Sequence, residues 1–217
     1  MGTITRNFAN NLTTSGLLKP DAFNNDSFDN VTAVPSGSVE TGAMQFISSA
    51  TASASASIEF TSGIDSTYKE YIFYFVNLHR SANSFFTFNM STDGGSNYNV
   101  AKTTTFFDAY HNESGADSAL QYVSGWDLEQ GTGFQRLAYG QSGNSDESTS
   151  GYLHLFNPSS STYVKHFIAR SNSNNSPYSE DYYVAGYGNT TSPVNAIKFQ
   201  MESGNIDAGQ ILLFGIN

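Results

Sequence analysis

The feature that most constrains this chain is a recurrence of short runs, from Met44 onward, in which apolar residues repeat every second position. Gly, Asn, Ser and Pro separate these runs. A period of two puts alternate side chains on opposite faces of a strand, whereas a helix needs apolar residues three or four apart. The strongest run is Glu70-Tyr71-Ile72-Phe73-Tyr74-Phe75-Val76-Asn77-Leu78. It is apolar at both parities, the pattern of a central strand covered on each side. Gln45-Phe46-Ile47 opens the series, and the alternating Ala and Ser of residues 50–57, strand or loop, leads into Ile58-Glu59-Phe60. Phe86, Phe88 and Met90 alternate with Thr87 and Asn89 before Asp93-Gly94-Gly95, which reads as a hairpin turn. Further strands are expected over 103–107 with Tyr110, 134–138, 151–156, 163–170, 182–187, 196–201 and 210–216. Roughly nine to eleven short strands with such turns predict an all-β fold, a single β-sandwich or jelly-roll-like domain over residues 43–217. Residues 118–129 are the one stretch where a helical turn is expected.

Such a sandwich needs a core, and only 38% of the residues are hydrophobic. The 17 Phe and 13 Tyr compensate, because each buried ring removes about 150–250 Å² from water. Charged residues are 13% of the chain, so Ser, Thr, Asn and Gly must cover the surface. Acidic side chains outnumber basic ones 19 to 9, a net charge of −10, and Lys and Arg nowhere cluster. That excludes a nucleic-acid partner, which needs clustered cations to displace phosphate counterions, and an anionic membrane surface. With no Cys there are no disulfides or thiolate metal sites. No apolar run is long enough to cross a bilayer as a helix, and the first residues lack a basic-then-apolar leader. No membrane insertion and synthesis in a cytoplasm are therefore expected.

Residues 1–42 differ from the rest. Ile4, Phe8, Leu12, Leu17, Leu18, Phe23 and Phe28 stand isolated among Thr, Asn and Asp, with no sustained period. Alone, such a segment cannot bury enough surface to offset an ordering cost of about 1–2 kcal/mol per residue. It is also too apolar for a solvated linker. An extended N-terminal arm that orders against another chain is the reading preferred over a disordered or locally packed terminus.

Signatures of chemistry are sparse. The chain has no Gly-x-Ser-x-Gly elbow, phosphate loop or dinucleotide fingerprint. His154 and His166 fall on consecutive expected strands and could face one another as a metal pair, although surface histidines are the commoner outcome. Asp146-Glu147, Glu180-Asp181 and Asp127 with Glu129 supply carboxylates. A glycosidase needs two of them about 5–9 Å apart across a cleft, and solvated loop acids are the default reading. Asp93-Gly94-Gly95-Ser96-Asn97 lacks the full ligand alternation of a calcium loop. No catalytic residue, metal or cofactor is expected. Trp126, Tyr178 and Tyr183 are candidates for stacking on sugar rings, with Tyr182 and Tyr187 nearby.

Five segments carry a resemblance: Met1-Gly2-Thr3-Ile4-Thr5-Arg6-Asn7-Phe8-Ala9-Asn10-Asn11, Ser62-Gly63-Ile64-Asp65-Ser66-Thr67-Tyr68-Lys69-Glu70-Tyr71 with the strand that follows, Ser91-Thr92-Asp93-Gly94-Gly95-Ser96-Asn97-Tyr98, Leu153-His154-Leu155-Phe156-Asn157-Pro158 and Ile211-Leu212-Leu213-Phe214-Gly215-Ile216. Together they resemble uncharacterised structural proteins of marine tailed bacteriophages, capsid decoration or tail-associated. The resemblance implies a non-enzymatic virion protein at the particle surface. Its first form is a decoration or cement protein, a homotrimer bound through residues 1–42 to the major capsid protein or other virion proteins. Its alternative is a tail-fibre or baseplate component whose sandwich recognises a host surface glycan.

Overall fold

The structure, a computed structural model, describes residues 43–140 and 144–216. The seven candidate arm residues therefore lie outside the described residues. Thirteen strands occur, and the described residues contain no helix: β1 (Met44–Thr51), β2 (Ser57–Phe60), β3 (Glu70–Arg80), β4 (Ser84–Ser91), β5 (Lys102–Asn112), β6 (Ser118–Tyr122), β7 (Glu129–Gly131), β8 (Gln135–Gly140), β9 (Thr149–Phe156), β10 (Lys165–Asn175), β11 (Tyr178–Gly188), β12 (Ala196–Met201) and β13 (Ile206–Ile216). They form two antiparallel sheets packed as a sandwich. The larger has nine strands in the order β1-β13-β3-β9-β10-β11-β5-β6, with β7 also paired to β5. The smaller has the order β2-β12-β4-β8.

The inward face of each strand is set by its sequence parity. Tyr71, Phe73 and Phe75 of β3 and Leu153 and Leu155 of β9 point between the sheets and are fully buried. From the other side Phe86 and Phe88 of β4 and Ile197 and Phe199 of β12 meet them. Phe199 is the hub, with ring centroids of Phe60, Phe73, Phe75, Phe86 and Phe88 all within 6.4 Å of its own. Most of these contacts are edge-to-face or tilted, as the ring quadrupole favours.

Four expectations need correction. Residues 118–129 form no helical turn: β6 pairs with β5 from Phe107↔Tyr122 to His111↔Ser118, and cross-strand pairing prevails over local propensity. Asp93-Gly94-Gly95 is a turn, but not of a hairpin, because β4 belongs to the small sheet and β5 to the large one. Its geometry is local: Asp93 Oδ1 accepts from the Ser91 hydroxyl at 2.7 Å and the Asn97 N–H at 2.9 Å. β3 is central, yet among the described residues no second layer covers its outer face, where Val76 is 43% exposed. Ile72, on that same face, is nevertheless buried. Edge-to-face contacts run from Phe46 through Phe214 and Tyr74 to Tyr152 and His154 there. Finally, the Ala/Ser stretch is neither one strand nor one loop. β1 ends at Thr51, Ala54 turns the chain at φ +48°, and β2 begins in the other sheet.

Candidate functional site

The two sheets are unequal, and that inequality makes a cleft. β8, the edge of the small sheet, packs over β10 and β11, so β5 and β6 extend beyond it. Under this overhang lies a hollow of about 280 Å³. Its floor is set by strand register: β11 pairs with β5 so that Tyr182 lies opposite Asp108 and Glu180 opposite Tyr110. β6 then places Gln121 opposite Asp108. Since alternate residues share a face, Asp108, Tyr110, Glu180 and Tyr182 all point to the cleft side of the large sheet.

Carboxylates converge on this hollow, and among the described residues no basic side chain lines it. Asp108 is only 5% exposed. Its Oδ2 accepts one long bond, 3.3 Å, from the Gln121 amide, and its Oδ1 has no partner among the described residues. Burial pushes the Asp108 carboxyl above its ordinary range, and the Gln121 bond opposes this in part. Glu180 Oε2 accepts from the Asn175 amide at 2.6 Å and from the Tyr182 hydroxyl. Burial, then the charge and hydrogen bond of Glu180, push the Tyr182 phenol well above its ordinary value. Asp117 stands at the rim, where its Oδ2 accepts from the Tyr178 hydroxyl at 3.0 Å.

Rings line the rest. Tyr178 meets Tyr110 edge-on at 5.9 Å, and Tyr139 and Trp126 close the opposite wall. Trp126 is wedged against Phe85 at 4.8 Å and Phe106 at 5.2 Å. It is thus a fixed wall of the cleft more than a free stacking platform. Tyr178 also borders a polar depression of about 310 Å³ lined by Asn112, Asn172 and Asn174.

The structure brings together two of the three expected stacking residues, Trp126 and Tyr178. Tyr183 is apart from them, on the outer face of the large sheet. There the Arg170 guanidinium lies 4.9 Å from its ring centre and Asp181 accepts its hydroxyl at 3.0 Å. Tyr182 and Tyr183 are neighbours in sequence, but a strand sends them to opposite faces.

Of the six expected loop acids, Asp127, Asp146 and Glu147 do lie in loops, whereas Glu129, Glu180 and Asp181 lie in strands. Glu180 and Asp181 lie within β11, on opposite faces, and Glu147 is 4% exposed. His154 and His166 do share the outer face, since His154 lies opposite Ile168, two residues beyond His166. Each contacts an aromatic ring, Tyr152 and Tyr187 respectively. Among the described residues no three His, Cys, Asp or Glu side chains are grouped to hold a metal. The same face carries a shallow apolar hollow of about 510 Å³ around Phe156, Ile168, Ala185 and Tyr187. Thr103, Thr105, His166 and Tyr187 bring hydrogen-bonding side chains to that hollow, but no carboxylate lines it among the described residues.

The residues that sequence reasoning missed are Asp108, Tyr110, Asp117, Gln121 and Tyr139. One signal was present. Thr104, Phe106 and Asp108 share a parity with Lys102, so a carboxylate stood at an inward position of an otherwise core-facing row. No family model, curated protein or solved structure matches this chain.

Proposed function

We propose that this chain is a non-enzymatic component of a phage particle, attached through residues 1–42, whose β-sandwich recognises a glycan in the cleft between β5, β6, β11 and β8. The observation that carries the binding half is the convergence there of four aromatic side chains, three carboxylates and the exposed Gln121 amide. Apolar ring faces meet sugar C–H groups, and carboxylates and amides meet sugar hydroxyls. The particle half follows from the resemblance of its segments to phage structural proteins. A tail-fibre or baseplate position suits a receptor-reading cleft best.

Catalysis is not part of the proposal. Asp108 and Glu180 sit diagonally on neighbouring strands, with Cα atoms on the order of 7–8 Å apart. Glu180, however, is held by Asn175 and Tyr182, and Asp108 lies beneath Gln121. With Glu180 so engaged, the second free carboxyl that a glycosidase needs beside Asp108 is missing.

A second reading, a capsid decoration protein, draws on a different feature. One register row on the outer face reads Leu212, Tyr74, Tyr152, Arg170, Tyr183, Phe107 and Tyr122 across seven strands. Tyr122 is 48% exposed and Phe107 40%, which suits contact with a shell protein. Counting copies per purified particle by calibrated mass spectrometry separates the two. On the order of tens supports the tail reading and its multivalent glycan binding. Hundreds support decoration, and absence from the particle overturns both.

A further inference from the structure

We propose that the saccharide taken by this cleft carries a free ammonium group, as a glucosamine-type sugar does. The proposal rests on the glycan-binding reading and narrows its substrate class.

The first argument is the charge in the lining. Among the described residues, Asp108, Asp117 and Glu180 face the hollow with no Lys, Arg or His in its walls. Arg80, which interacts electrostatically with Tyr182, Glu180 and Tyr139, is 2% exposed, and its Nη2 donates to the Thr149 hydroxyl. It is a buried counter-charge to the floor, not a rim group a ligand meets. Saccharides bearing carboxylate, sulfate or phosphate are repelled, and the chain's net charge of −10 adds to this.

The second argument is the unmet acceptor. Asp108 is a carboxyl at least nine-tenths buried, with one oxygen unpartnered and the other held by one long bond. A buried carboxylate in that state is unfavourable until a donor, best of all a cation, reaches it. Gln121, the side chain that covers it, is exposed and tethered only at 3.3 Å. A small rotation of Gln121 opens Asp108 to a ligand from the cleft.

The third is the company of rings. Tyr110, Tyr139, Tyr178 and Trp126 surround the carboxylates. Aromatic faces attract a cation through the ring quadrupole, and the attraction grows when the cation is desolvated. A neutral sugar needs only one stacking face, whereas rings and carboxylates together favour an ammonium held between them.

The test is isothermal titration of the full chain with three oligosaccharides of one backbone and length: a glucosamine oligomer, its N-acetylated form, and a uronate oligomer. A lysine amide serves as a non-sugar cation. The expected result is that the glucosamine oligomer binds at least about tenfold more tightly than the N-acetylated one, and that the uronate and lysine amide do not bind. Asp108→Asn should remove that tenfold preference. Asp117→Asn, at an exposed position where folding is not at risk, should weaken the preference in the same direction. If the N-acetylated or uronate oligomer binds as tightly as the free amine, the ammonium inference is overturned while glycan recognition stands. Equal binding of the lysine amide overturns the saccharide assignment. If nothing binds to a chain whose circular dichroism shows it folded, the glycan-binding reading itself falls.

Discussion

Lys102 offers a sharp test of how this sandwich is held together. It is fully buried in β5, with its ammonium 2.5 Å from Asn89 Oδ1 and 2.7 Å from the Val100 carbonyl oxygen. Desolvation pushes its pKa from the ordinary 10.5 down to about 7. The folded state thus binds fewer protons than the unfolded state between about pH 7 and 10.5, so stability rises with pH across that window. Below about pH 7 the penalty is fully present, and above the unfolded value it vanishes. At about 1.4 kcal/mol per pH unit, the full penalty is bounded near about 5 kcal/mol. Lys102→Met keeps the length and removes the charge. Asn89 Oδ1 remains satisfied by the Met90 N–H at 2.8 Å. Urea unfolding is followed by the fluorescence of Trp126, the single tryptophan, whose ring lies against Phe106 of the same strand. The wild type should gain about 1–2 kcal/mol between pH 7 and 9, and Lys102→Met should lose that gain. At pH 7 the variant should match or exceed the wild type by about 1–2 kcal/mol. Equal pH slopes in the two proteins, or a variant at pH 7 weaker by more than about 2 kcal/mol, would refute the reasoning.

Other outcomes follow from the same geometry. Phe199→Ala should cost about 3–5 kcal/mol in urea unfolding, because the cavity falls at the junction of five rings. Gly140→Ala should cost at least about 2 kcal/mol, since an added Cβ would sit 0.7 Å from Arg80 Nη1; Gly133→Ala, with nothing within 4 Å, is the neutral control. The Asp93 carboxyl, held down to about 2 by bonds from Asn97 and Ser91, should show an NMR titration midpoint near that value. The turn it organises is intact above the ordinary carboxyl range and is lost as pH falls through about 2. Deleting residues 1–42 should abolish incorporation into particles while Trp126 fluorescence stays native; normal incorporation would sink the attachment reading.

The strands were legible because a period of two is a direct imprint of burial on one face. Residues 196–201 coincide with β12, and the run at 70–78 is the heart of β3. What failed was local. β6 exposes Leu120 at 73% and lies at the edge of the sheet, so its alternation is too weak to distinguish a strand from a helical turn. The cleft was half legible. Trp126 and Tyr178 stand out as aromatics in polar surroundings, but Asp108 acquires its meaning only when β11 and β6 flank β5. The β11 pairing sets Asp108 against Tyr182, far along the chain, and no local pattern encodes it. Tyr183 misled because its tyrosine neighbours are adjacent in sequence but not on one face.

The central claim, that the hollow beneath the β5–β6 overhang is the recognition site, is tested most directly by amide and indole shift mapping of the full chain. A glucosamine oligomer is titrated into ¹⁵N-labelled protein and the moving resonances are assigned. Recognition in the cleft predicts saturable shifts centred on Asp108, Asp117, Gln121, the Trp126 indole, Tyr178 and Glu180, abolished together by Tyr178→Ala. Shifts centred instead on Phe156, Ile168, Ala185 and Tyr187 of the outer face, or no shifts at saturating sugar, would contradict it.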